Sequence, residues 1–408
     1  MQSTATPGVA FPAVPSSAHR LDQLSLGKIV QIRERLLAAH AGGKQVYRFE
    51  SGDPSFGPPA HVIDALTQAA HAGKTHYVPN NGIPELRQAL ARKVTDKNGI
   101  AGITSNDIFI TNGAMHALYV AFGALLGPGD EVIIPDPMWT EVAENIRLAG
   151  GVPVGVPLSV ANDFAYGPDD IRAAIGPRTT AVFINTPHNP TGAVLTPAAL
   201  AEILAIAREH DLWVVSDEAY EDVLYEPYVH RSIGSLASAN DRRVVSIFSF
   251  SKSHAMSGLR TGYIVARHPS LHDRIPKLLR CTINGVNSVT QWAALAAVTG
   301  SDRHIREMRD VYHERRDMML RALSGIPGVR PFVPRGAFYV WVELDSSVFE
   351  RLEVAGADAL ATLLAEQGIG CAPGEAFGDS CADALRFAFS CDTRMVRDGS
   401  VLLREALM

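Results

Sequence analysis

Val244-Val245-Ser246-Ile247-Phe248-Ser249-Phe250-Ser251-Lys252 is the stretch that decides the fold. Its first five residues are apolar and β-branched apart from Ser246, the composition of a strand buried on both faces. Such a strand delivers Lys252 to a sheet edge at a cleft. An ammonium is costly to bury, so its pKa falls, and a desolvated lysine near other cations is an amine nucleophile for a carbonyl. Ser249, Ser251 and, eight positions after the lysine, Arg260 add two hydroxyls and a planar fork of donors, which suit a phosphate dianion. One cofactor combines an aldehyde with a phosphate: pyridoxal phosphate. Read alone, the segment is more simply an exposed lysine in a serine-rich loop, and it is the rest of the chain that argues otherwise.

Outward from this strand, between about residues 60 and 300, apolar runs alternate with amphipathic helical patterns. The runs are Ile108-Phe109-Ile110, Glu131-Val132-Ile133-Ile134, Ala181-Val182-Phe183-Ile184, Leu212-Trp213-Val214-Val215 and Gly262-Tyr263-Ile264-Val265. This alternation predicts an α/β domain over residues 61–299, its mostly parallel sheet flanked by helices. One of those helices has a capping residue and a first-turn proline at Thr196-Pro197. A long helical pattern from Arg303 to Leu323 leads into short strands around Phe338-Tyr339-Val340-Trp341-Val342 and Leu385-Arg386-Phe387-Ala388-Phe389. A helix from Leu21 to His40, with Leu26, Ile29, Val30, Leu36 and Leu37 at helical spacing, stops at Gly42-Gly43. Residues 19–60 and 300–408 are therefore expected to form a smaller α+β domain. Residues 1–18, rich in Pro, Ser, Thr and Ala without a period, read as a flexible arm.

A chain of 408 residues exceeds one ordinary core, and an apolar fraction of 47% supplies ample burial. A formal charge of −6 without any lysine or arginine block gives no electrostatic footprint for nucleic acid or an anionic membrane. Cys281, Cys371, Cys381 and Cys391 have neither zinc-site spacing nor disulfide-scaffold density, so reduced thiols are expected and no metal. No apolar stretch approaches the ~20 residues of a membrane span, and no basic-then-apolar leader opens the chain. A cytoplasmic protein is expected. The strand ends lack Gly-x-Gly-x-x-Gly, which removes the main support for an NAD-linked enzyme.

The strand ends carry other chemistry. Thr111-Asn112-Gly113-Ala114-Met115-His116 follows a strand and opens a helix, placing free N–H groups and the helix dipole toward an anion. Asp217, at the end of Trp213-Val214-Val215-Ser216, suits a protonated ring nitrogen, a charge that makes a pyridine ring an electron sink. Tyr220 and Asn189 suit the ring's phenolic oxygen, and Trp139 suits stacking on its face. Arg386 can hold a carboxylate in a bidentate fork. Each has a plain alternative: a turn carboxylate, an interfacial aromatic, an Asn-Pro turn, a core tryptophan, an arginine in a surface ion pair. The alternatives are reasonable singly, but not jointly.

In consistent order over roughly residues 20–400, the chain resembles the class I/II aminotransferases of fold type I, relatives of aspartate aminotransferase. The resemblance rests on Asn185-x-Pro-x-Asn-Pro-Thr-Gly192, Ser216-Asp217-Glu218-x-Tyr220, Ser249-x-Ser251-Lys252 and Gly258-Leu259-Arg260-x-Gly262, with Pro334-Arg335-Gly336-Ala337-Phe338-Tyr339 in support. It implies that Lys252 is the Schiff-base lysine, that Asp217 binds the ring nitrogen, and that Asn189 and Tyr220 bind the ring oxygen. Gly113, Ala114, Met115, Ser249, Ser251 and Arg260 would hold the phosphate, and Trp139 would stack on the ring. Tyr77 matches the tyrosine that reaches the phosphate in the neighbouring subunit, which implies a homodimer. Gly52, in Glu50-Ser51-Gly52-Asp53-Pro54, matches the glycine that meets the substrate carboxylate beside Arg386.

The activity implied is ping-pong transamination between an L-amino acid and a 2-oxo acid. Carbon–sulfur β-lyases and cyclopropane-forming enzymes share these motifs and stand as alternatives; a non-catalytic regulator stands further off, because no basic helix-turn-helix precedes residue 20. In the subgroup of bacterial aspartate and prephenate aminotransferases, a lysine often occupies the position of Met115 and helps hold an acidic side chain. Methionine provides no such charge, which argues against strict aspartate specificity and favours a neutral, aromatic or unusual donor. Lys28 and His254 are the candidate replacement cations, with surface exposure as their simpler reading.

Overall fold

The structure, a computed structural model, describes Leu24 and residues 27–408. The arm read at residues 1–18, and Leu21 and Leu26 of the first helical pattern, lie outside the described residues. The described helix runs Lys28–Ala41 and ends at Gly42, with Gly43 at φ +85°.

Seven strands make the larger sheet: β1 (Ile108–Thr111), β2 (Glu131–Asp136), β3 (Val152–Pro157), β4 (Thr179–Asn185), β5 (Trp213–Asp217), β6 (Val244–Ser249) and β7 (Gly262–Ala266). Their spatial order is β1-β7-β6-β5-β4-β2-β3. Parallel pairing joins β3, β2, β4, β5 and β6, while β7 runs antiparallel between β6 and β1. Every residue of β6 is buried, as its unbroken apolar run requires of a strand covered on both faces. Since β6 lies inside the sheet, Lys252 stands at the sheet's carboxyl-terminal rim and not beside an edge strand. Of the two edge strands, β1 and β3, the latter carries Pro153 and Pro157, which lack ladder donors and are tolerated there.

Helices cover both faces. On one, Leu118 and Phe122 of helix Gly113–Leu125 pack with Ile146, Ile275 and Leu279; on the other, Leu200, Ile203 and Leu204 come from helix Pro197–Glu209. Full burial of each such side chain contributes about 1.5–3 kcal/mol. Thr196 caps the latter helix, its hydroxyl accepting from the Ala199 amide at 3.2 Å.

A second, antiparallel sheet is built from β8 (Val329–Pro331), β9 (Tyr339–Leu344), β10 (Ala372–Pro373) and β11 (Ala384–Ala388) in the order β10-β11-β9-β8. Helix Arg303–Leu323 and helix Lys28–Ala41, through Ile32 and Leu36, share its core. That core also takes in Ala219, Tyr220, Val223 and Tyr225, which follow β5, so the two sheets meet across a continuous apolar seam. The register pairs Asn185 with Asp217, which brings β4 and β5 to an end together, facing this seam. Open α/β sheets bind ligands outside such carboxyl ends.

Candidate active site

Lys252 follows β6 on the short helix Phe250–Ser253, whose start is capped by Ser249 Oγ accepting from the Ser251 amide at 3.1 Å. Its Nζ donates to the Gly52 carbonyl at 2.5 Å. Burial lowers the Lys252 pKa to about 8; Asp53 and Asp217 oppose the shift, and Arg260 and Arg386 add to it. Burial acts oppositely on Asp217, raising it to about 6 against the Ala219 amide, which donates to Oδ1 at 3.0 Å. The Asp217 backbone is fixed by Asn185 Nδ2 at 3.0 Å, and Oδ2 makes no hydrogen bond among the described residues. One oxygen of a raised carboxyl thus remains for a cationic partner. Tyr220 and Tyr339 share a hydroxyl contact of 2.8 Å.

Arg386, from β11, is 1% exposed. Its guanidinium lies 4.5 Å from the ring centre of Tyr339 and 4.8 Å from that of Phe377. Nη1 donates to Asn189 Oδ1 at 3.0 Å and Nη2 to the Glu50 carbonyl at 2.7 Å, while Nε has no partner. Among the described residues no carboxylate forms an ion pair with it. A buried guanidinium without a counter-ion is costly, and a carboxylate ligand removes that cost. Because Asn189 Oδ1 is taken, its amide N–H groups are the ends left to donate to a ligand. Gly52 sits so close to Tyr339 that a Cβ there would meet the tyrosine oxygen at 2.1 Å.

At the other end of the cleft, helix Gly113–Leu125 begins at Asn112 without a side-chain cap, leaving its first N–H groups free for an anion. Arg260, at φ +53°, packs over that start: Nη2 donates to the Asn112 carbonyl at 3.3 Å and Nη1 to the Ser257 carbonyl at 2.8 Å. Gly113 adopts φ +80°, and a Cβ on it would lie 2.5 Å from Arg260 Nη2.

Of the residues read from the sequence, Gly52, Ala114, Met115, Trp139, Asn189, Asp217, Tyr220, Ser249, Ser251, Lys252, Arg260 and Arg386 line one cleft of about 390 Å³. Gly113 lies beneath its Arg260 end. Tyr77 lies elsewhere, 91% exposed beside Asn284 and Val286. The two candidate cations are not brought into the cleft. Lys28 pairs with Glu375, and with Asp358 at 3.2 Å. His254 is half-buried against Phe250, its Nδ1 3.3 Å from His304 Nε2, and desolvation takes its pKa to about 3, so it is neutral. Met115 does line the cleft, its sulfur accepting from Asn145 Nδ2 at 3.2 Å. Sequence reading missed Arg33, Arg48, Glu50, Leu118, Glu141, Ser257 and Tyr339 in the same lining. Two of them had a signal: Tyr339 ends the Pro334 to Tyr339 motif, and Glu50 opens the Glu50 to Pro54 motif.

Over residues 44–399 the chain matches the family described as Aminotransferase class I and II. It is 34% identical over 379 residues to the aspartate aminotransferase of Geobacillus stearothermophilus, covering 92% of this chain and 95% of that protein. It is 36% identical over 363 residues to a probable aspartate/prephenate aminotransferase of Thermus aquaticus, covering 88% and 91%. Among solved structures, the aspartate aminotransferase of Thermus thermophilus with maleate superposes with a TM-score of 0.88 at 32% identity, over 95% of this chain and 99% of that one. The chain belongs to the class I and II aminotransferase family. It is an aminotransferase, and the family it belongs to depends on pyridoxal phosphate.

Proposed function

We propose that the protein transfers an amino group between an L-amino acid and a 2-oxo acid in two successive half-reactions at this one cleft, without strict specificity for aspartate. The observation that carries the reading is Arg386: a buried, uncompensated guanidinium in the same cleft as a lysine of lowered pKa. An α-carboxylate on Arg386 places the α-carbon of an amino acid toward Lys252. Names among the relatives, aspartate and aspartate/prephenate, themselves cover more than one donor.

The residues present fit pyridoxal phosphate. An uncapped helix start, two serine hydroxyls and Arg260 suit a phosphate, and the open Asp217 Oδ2 suits a ring N–H. Gly113, Ala114, Met115, Ser249, Ser251 and Arg260 would hold the phosphate, Asp217 the ring nitrogen, Asn189 and Tyr220 the ring oxygen, Trp139 the ring face, and Lys252 the aldehyde carbon. When bound, the cofactor supplies an electron sink for the pair left behind when a proton leaves the substrate's α-carbon. Lys252 Nζ is the base that takes that proton; a value of about 8 leaves an appreciable neutral fraction near neutrality. Arg386 and the Gly52 backbone orient the substrate carboxylate, and Trp139, Tyr339 and Phe377 screen the guanidinium from water.

Residues 19–60 with 300–408 are the proposed small domain, and 61–299 the proposed cofactor-binding domain. Tyr77, exposed and remote from its own cleft, is assigned to the cleft of a second copy, making a homodimer the working unit. The cytoplasm, where free amino acids and 2-oxo acids meet, is the proposed location. The reading is tested by assaying cofactor-loaded protein against a panel of amino donors and 2-oxo acceptors. A new 2-oxo acid formed in step with a new amino acid is expected. Ammonia with pyruvate, and no amino-acid product, would transfer the protein to the β-eliminating alternative.

A further inference from the structure

Asp136, the last residue of β2, is half-buried and has no ion-pair partner among the described residues. Both of its carboxylate oxygens are taken instead by the chain between β10 and β11 of the smaller sheet. Oδ2 accepts from the Ser380 amide at 3.2 Å, and Oδ1 accepts from Cys381 Sγ at 3.5 Å. Burial pushes the Cys381 thiol up to about 12, so it keeps the proton it donates. Gly378 passes so close that a Cβ on it would collide with Asp136 Oδ1. A second link runs alongside, the Met138 amide donating to the Phe377 carbonyl at 2.7 Å. Residues 374–381 are thus strapped across the rim of the larger sheet.

What the strap holds in place is Phe377. Its ring is buried, edge-on to Trp341 at 5.8 Å, and its centre lies 4.8 Å from the Arg386 guanidinium. A ring at that distance attracts a guanidinium through its quadrupole and keeps water from it. A carboxylate then pairs with the cation in a drier setting, where their attraction is stronger. Phe377 is not part of the cleft lining, so it acts on a ligand through Arg386. We propose, resting on the assignment of Arg386 to the substrate carboxylate, that Asp136 is a positioning residue for substrate binding. It holds residues 374–381 down, so that Phe377 stays on Arg386 and the carboxylate meets a shielded guanidinium.

The test uses cofactor-loaded protein and two amino-free carboxylates, succinate and 3-phenylpropionate, whose Kd is measured by calorimetry without turnover. Asp136→Ala is expected to weaken both by about tenfold, the size of one hydrogen bond to a charged group. KM for the best amino donor should rise by the same factor with kcat unchanged, the mark of a loss shared by ground and transition states. The Kd of the cofactor, measured by absorbance, should not move. Asp136→Asn keeps an oxygen for the Ser380 amide and should recover most of the loss. Phe377→Ala should match Asp136→Ala, and the double variant should lose no more than either alone, because the two side chains act in series. The proposal is overturned if the two single losses add, or if cofactor affinity and kcat fall along with carboxylate affinity, as general loosening would require. Phe377→Ala with unchanged carboxylate affinity overturns it whether or not Asp136→Ala folds. The expected pattern of Kd in a protein that forms no 2-oxo acid from any donor would uphold the strap and sink the transamination reading; transamination with affinities indifferent to Asp136 and Phe377 would do the opposite.

Discussion

Burial penalises the charged forms of Lys252 and Asp217 alike, and so moves the two groups in opposite directions. Lys252, ordinarily near 10.5 and about 8 here, binds fewer protons folded than unfolded between those values, so the stability of the cofactor-free protein rises with pH across that window. Asp217, ordinarily near 3.8 and about 6 here, binds more protons folded than unfolded between them, so its contribution to stability falls as pH rises through that window. Urea titrations of the cofactor-free protein should show wild type gaining on Lys252→Met from pH 8 to 10; parallel curves would mean that the lysine is not desolvated. These residues were legible because each ends or follows an apolar run that fixes its place. Lys28 and His254 were proposed only from their positions in relatives, and their local partners, Glu375 for one and His304 for the other, hold them outside the cleft. Arg33 and Glu141 gave no local signal, since a charge on an amphipathic helix reads the same whether it faces bulk water or a cleft mouth.

Helix Arg303–Leu323 has the bounds its periodicity predicts, whereas the helix read from Leu21 begins at Lys28, after Gly27 at φ +68°. The edge strand β3 was missed because Val152-Pro153-Val154-Gly155-Val156-Pro157 carries two prolines and a glycine, which speak against a strand until its edge position is known. β8 and β10 are too short, at three and two residues, to leave a period. The junction of β1 and helix Gly113–Leu125 was read as a turn for an anion, but not the reason it needs glycine: a positive φ and the Arg260 guanidinium packed where a Cβ would stand. Gly113→Ala should therefore cost about 1–3 kcal/mol in backbone strain and displaced arginine, seen as weaker cofactor binding when the cofactor-free protein is titrated by absorbance. An unchanged Kd would show that this helix start does not bear on the phosphate.

The whole molecule brings together residues from Gly52 to Arg386 across the seam between two sheets, and that long-range assembly was legible only as a resemblance. No single segment encodes the meeting of Gly52 with Lys252, or of Asn189 with Arg386. The assignment of Tyr77 to a partner's cleft makes a prediction at this scale. Mixed dimers of Lys252→Ala and Tyr77→Ala chains should regain one intact site and with it activity that neither variant has alone. If Tyr77 served its own cleft, mixing would restore nothing. The central claim, that Lys252 carries the cofactor, is tested most directly by reducing cofactor-loaded protein with borohydride and mapping the modified lysine by mass spectrometry. The account predicts a pyridoxyl group on the peptide containing Lys252 and on no other lysine. A coloured, fully loaded protein that carried the group elsewhere, or gave no adduct, would contradict it.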